Sequence, residues 1–179
     1  MRTIICEAWK DAIDEAVRRE FPNFEPLTKR ARSEPRGMLK YQWHPQERLW
    51  CYIAFRPLDD DAFDAFVGWS MLDQFPIGSG LQLDKVQDIL DFEAPFVLAW
   101  SMQLVPRAGA AHWSFWNPPA NLSDDPEEFG RAFAEYYAQQ LTYVDARKLI
   151  EPAVAAGIAE VRDYGIPYLQ KRVAYKPKS

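Results

Sequence analysis

Between Ile4 and Val17 the apolar residues Ile4, Ile5, Ala8, Trp9, Ala12, Ile13, Ala16 and Val17 recur every three to four positions. Lys10, Asp11, Asp14, Glu15 and Arg18 occupy the opposite side, which predicts an amphipathic helix ending near Glu20, ahead of Phe21-Pro22. The period then changes to two. Leu39, Tyr41 and Trp43 alternate with Lys40 and Gln42, and His44-Pro45-Gln46-Glu47 reads as a turn. Leu49–Phe55 is apolar on both faces of an extended chain, the pattern of a central strand covered on both sides. Phe63–Met71 alternates again, with Gly68 as a possible bulge, and Arg56–Ala62 connects the two runs into an antiparallel hairpin.

Beyond a break at Phe75–Gly80, Leu81–Leu90 has the spacing of a short helix. Phe96–Leu104 suits either a strand or a buried helix, and its alternation favours the strand. After the aromatic segment His112–Trp116, Asp125 can cap a helix that has Pro126 at its first position and Glu128 closing a capping box. That helix is expected to run to about Ile150. Pro152 opens or kinks a second piece over Ala153–Tyr164, Gly165 ends it, and 166–179 forms a mobile basic tail. The expected fold is α+β: one domain over 1–179, with an antiparallel sheet of four or five strands, a meander around the central hairpin. The N-terminal helix and the C-terminal helices pack mainly on one face of it.

A chain of 179 residues with 15% aromatic content and seven Trp can bury a large core without disulfides or metals. Cys6 and Cys51 have no CxxC or Cys/His spacing and read as small buried residues of a reducing compartment. Neither a signal-peptide core nor a long apolar run is present, so a cytoplasmic location is expected. Charge is uneven. Residues 1–56 carry 11 basic and 8 acidic side chains, 57–95 carry 1 and 9, and 96–179 carry 9 of each. The middle segment, at −8, repels nucleic acid and favours a basic protein partner. The basic run Lys29-Arg30-Ala31-Arg32 is short, lacks interleaved aromatics, and reads as a solvated loop.

The chemistry-bearing residues are few. Asp59-Asp60-Asp61 with Asp64 lacks the alternation and glycine of a calcium loop, and reads as an acidic loop tip. His44 and His112 are the only histidines; two of them, without HxH or HExxH, argue against zinc, and neither stands in a nucleophile spacing. Carboxylate pairs drawn from Asp64, Asp73, Asp84 or Glu93 need geometry to mean anything. Gly78-Ser79-Gly80 is too short to cradle phosphate. Six tryptophans (Trp43, Trp50, Trp69, Trp100, Trp113, Trp116) can line a pocket, but at strand spacing they read as core.

Phe66-Val67-Gly68-Trp69-Ser70, followed by Phe75-Pro76, resembles a pattern in small bacterial α+β proteins, some of which look like immunity proteins of polymorphic toxin systems. Trp50 and the His112-Trp113 pair fit the same pattern, over about residues 37–116. The resemblance implies a non-enzymatic intracellular binding protein that neutralises a cognate toxin, with no catalytic residues and no cofactor. Asp59, Asp60, Asp61, Asp64 and Asp73 are the expected contacts to a basic partner. The alternatives are a ligand binder or enzyme using His44 or His112 with a carboxylate brought close by folding, and a structural subunit of a larger assembly.

Overall fold

The computed structural model describes residues 2–28, 36–59, 61–72, 99–106, 110–116 and 125–175. The basic run at 29–32, Asp60, Asp73, the expected helix at 81–90 and the last four residues lie outside them. The architecture is α+β. Helix α1 (Thr3–Glu20) leads into an antiparallel sheet of β1 (Glu25–Pro26), β2 (Leu39–Gln46), β3 (Leu49–Pro57), β4 (Ala62–Ser70) and β5 (Ala99–Leu104), adjacent in that order. The two-residue β6 (Trp113–Ser114) pairs with Ala62–Phe63 on the same side of β4 that β5 takes further along. Helices α2 (Pro126–Ala138), α3 (Tyr143–Glu160) and α4 (Ile166–Ala174) follow, with a π-helical turn at Val161–Gly165 joining the last two.

The period-two reading of the sheet carries over. β3 is central, and Cys51, Ile53 and Phe55 point from it into the same core as Phe63, Val67 and Trp69 of β4. Ile5, Ala8, Trp9 and Ile13 of α1 close that core with Ile150, Val154, Ile158 and Leu169 of the C-terminal helices. Residues 99–104 form a strand. The turn before β3 is shorter than expected: β2 continues to Gln46 with a register irregularity between Trp43 and Gln46, leaving Glu47-Arg48 as the turn. Pro45 fits there because β1 has stopped pairing at Gln42, so among the described residues no strand needs its missing N–H on that side.

The helical boundaries after Pro126 differ from expectation. The helix starting at Pro126, capped by Asp125 accepting from the Glu127 N–H, ends at Ala138. A new helix starts because Thr142 and Asp145 form a reciprocal capping box that satisfies its first N–H groups. Pro152 lies inside α3, and Gly165 ends no helix: the chain stays helical to Ala174, so only the end of the expected tail lies outside the described residues.

The π turn has a packing cause. Gly157, Val161, Gly165 and Leu169, spaced by four, all face inward and are buried. A row spaced by four drifts around a helix of about 3.6 residues per turn, and one widened turn brings it back. The two glycines admit the sheet at close range. A Cβ on Gly157 would lie 2.7 Å from the Phe63 ring, and one on Gly165 2.6 Å from a Val67 methyl. Phe63 and Val67 are themselves buried and have no room to yield. Gly157→Ala and Gly165→Ala are each expected to destabilise by about 1–3 kcal/mol through overpacking. Gly130→Ala, with nothing within 4 Å of its added carbon, should be neutral or stabilising. Urea unfolding of the three variants checks the ranking.

Candidate functional site

Two acids at the start of β4, Asp61 and Asp64, face inward rather than outward. Asp59 is exposed, but Asp61 and Asp64 each have 0% exposure, and Asp60 and Asp73 lie outside the described residues. The expectation of Asp61 and Asp64 as surface contacts is corrected on that ground: a fully buried carboxylate does not meet a partner. Strand alternation explains Asp64, which points to the face of the sheet opposite the helices; Asp61 is drawn in by a cation.

Asp61 adopts a left-handed backbone (φ 51°) and binds the start of α1 twice. Its Oδ1 accepts from the Arg2 backbone N–H at 2.9 Å, and its Oδ2 accepts from Arg2 Nε at 2.8 Å. The carboxylate therefore sits at the positive end of α1 as well as on a guanidinium. Tyr136 Oη donates to the same Oδ2 at 3.3 Å, and Arg2 Nη1 donates to the Tyr136 carbonyl at 3.0 Å. Arg2 also lies over the Tyr136 ring, 4.5 Å from its centre. The Asp61 carbonyl accepts from Phe115 N–H at 2.9 Å. One residue thus joins α1, α2, β4 and the end of β6.

Asp64 gathers four donors on the other face. Its Oδ2 accepts from Arg56 Nε at 3.1 Å and from Arg56 Nη2; its Oδ1 accepts from Gln103 Nε2 at 2.9 Å and pairs with His112 Nδ1 at 2.8 Å. Arg56 stands directly opposite Asp64 in the β3–β4 register, while Gln103 comes from β5 and His112 from the segment before β6. The Arg56 and His112 side chains keep 35% and 41% of their surface exposed.

The other candidates are dispersed. His44 stacks on Trp50, ring centres 4.6 Å apart, and shares no contact with His112. Trp43, Trp69, Trp100 and Trp113 pack in or against the helix-side core, whereas Trp50 faces the other way and Trp116 meets α2. The six tryptophans therefore line no common pocket. Cys51 is buried and Cys6 partly so, both as free thiols. Among the described residues no group of three or more His, Cys, Asp or Glu is placed to hold a metal ion, and no helix is long and apolar enough to cross a membrane.

Helix α2 is the least expected surface. It buries only Tyr136 and leaves Phe129 and Phe133 46% and 38% exposed. Trp116 sets its edge against both rings, at 5.1 and 5.0 Å between centres, and Phe133 meets Tyr137 at 4.7 Å, so the aromatics form one continuous surface. Asp125, Glu127, Glu128 and Glu135 are exposed on the same helix, against the single base Arg131. The three-to-four spacing of Phe129, Phe133 and Tyr137 was readable in the sequence; that the face would be left uncovered was not.

No protein-family model, curated protein or solved structure matches this chain.

Buried acids make an alkaline signature. Burial pushes the Cys51 thiol up to about 12, and burial, helped by the Asp61 charge, pushes the Tyr136 hydroxyl up to about 12. Both folded-state values lie above the unfolded ones, so their contribution is complete below pH 9 and is lost as pH rises towards 12. Cys51→Ala removes the thiol without adding volume to a fully buried site. Its melting temperature should fall less steeply than the wild type's between pH 9 and 11, and parallel curves would show the thiol is not held protonated.

Proposed function

We propose that the protein is a binding protein of the immunity type, which neutralises a basic protein partner by occupying it. The observation that carries this reading is the aromatic face of α2, with Phe129, Phe133 and Trp116 contiguous, partly exposed and bordered by carboxylates. Aromatic anchors are the residues in which interface energy concentrates, and a negative border speeds association with a cation-rich partner. Asp59, two residues before the Asp61 link to α2, is an exposed carboxylate, whereas Asp61 holds the helix rather than the partner. The resemblance around Phe66–Ser70 supports the toxin-neutralising role in particular.

A second reading rests on a separate observation. Folding brings His112 onto Asp64, which is the histidine–carboxylate pairing that a ligand-binding or enzymatic protein needs.

The first reading is tested by affinity capture from the native host with three baits: wild type, Phe129→Ser/Phe133→Ser, and Glu127→Lys/Glu128→Lys. The expected result is one stoichiometric basic protein on the wild type. The double Phe variant should weaken its binding by at least about 2 kcal/mol per anchor, and the charge-reversed bait should flatten the salt dependence. Equal capture by all three baits, with circular dichroism unchanged, would remove α2 as the contact surface.

A further inference from the structure

The Asp64 cluster has a direction that its role as an internal tie does not require. An ionised carboxylate offers about four acceptor positions, and here Arg56 takes two, Gln103 one and His112 the last. With a guanidinium on its other oxygen the carboxylate stays an acceptor, so the proton it shares with His112 belongs to Nδ1. A neutral imidazole with its proton fixed on Nδ1 has its lone pair on Nε2. Nδ1 is spent on the fully buried Asp64 while the side chain keeps 41% of its surface exposed, so Nε2 is the ring nitrogen left to meet a ligand. A buried carboxylate that holds an imidazole in one tautomer and stabilises the imidazolium formed on protonation is the arrangement of a general base. His44 is stacked flat on Trp50, and among the described residues no carboxylate pairs with it.

Arg56 stands beside the Asp64 carboxylate. Nε and Nη2 are turned to Asp64, Nη1 is not, and a third of the side chain is exposed beside the same carboxylate that orients His112. An exposed guanidinium edge takes a carboxylate or phosphate oxygen.

We propose that His112, positioned by Asp64 and flanked by Arg56, is a general base for hydrolysis of esters that carry an anionic group. Water attacks the ester carbonyl carbon as its proton passes to His112 Nε2. The ester C–O bond then breaks, and the imidazolium returns the proton to the departing alkoxide. Ester and water become acid and alcohol, with no further reactant. Arg56 holds the anionic group of the acyl chain. This rests on the histidine–carboxylate reading and involves none of the α2 residues, so it and the binding reading can each fail without the other.

The probes are mono(p-nitrophenyl) glutarate, an anionic ester, and p-nitrophenyl acetate, a neutral one, assayed with the full chain near neutral pH. His112→Gln should lower the rate on both by about 10²- to 10⁴-fold, the usual worth of acid–base catalysis. Arg56→Gln should raise KM for the glutarate ester about tenfold more than for the acetate, and His44→Gln should leave both unchanged. On the wild type, nitrogen-15 NMR of the imidazole should show an unprotonated Nε2, a readout that needs no variant to fold. Equal rates for wild type and His112→Gln on both esters, or a proton found on Nε2, would overturn the proposal.

Discussion

Two carboxylates taken out of water organise this molecule. A buried, unpaired charge is too costly for a domain of ordinary stability, so each must find enough donors to replace its hydration. Asp61 and Asp64 stand three residues apart at the start of β4, and they meet that demand in opposite directions. Asp61 recruits Arg2 and Tyr136, which are 59 and 75 residues away in the chain. Asp64 recruits Arg56 across the hairpin, Gln103 from β5 and His112 from beyond it. The ends of α1 and α2, the β3–β4 connection and the 110–116 segment are placed by these bonds as much as by the core.

The apolar core does the rest, and it was largely legible. A period of 3.6 over Ile4–Val17 and a period of two over Leu39–Trp43 and Phe63–Trp69 each reflect one face turned to the same interior, while Leu49–Phe55, apolar throughout, is buried on both faces. The helical boundaries were harder because they turn on a few local hydrogen bonds. The Thr142–Asp145 box starts a helix inside what reads as one amphipathic stretch, and Pro152 is absorbed within the next. The π turn was not legible at all, since it answers to the contours of Phe63 and Val67, which belong to another part of the chain.

The acidic run shows why local pattern misplaces a site. Four aspartates in six positions read as a solvated tip because sequence gives charge without its partners. Alternation did mark Asp64 as lying opposite the core, and a drawn hairpin register would have set Arg56 against it. Nothing near Asp61 in sequence announces Arg2. With two of the acids internal, exposed carboxylates on α2 stand next to an aromatic face that the described residues leave open. Internal charge builds the frame, and external charge beside exposed aromatics is what remains for recognition.

The inward role of the Asp61 charge is tested most directly by urea unfolding of Asp61→Asn beside Asp59→Asn. Asparagine also tolerates the left-handed backbone of position 61, so the substitution isolates the charge from the turn. Leaving Arg2 without its partner is expected to cost about 3–5 kcal/mol, against a change within about 0.5 kcal/mol at the exposed Asp59. Equal and small losses at the two positions would mean that Asp61 is a surface charge after all and that the fold does not hang on it.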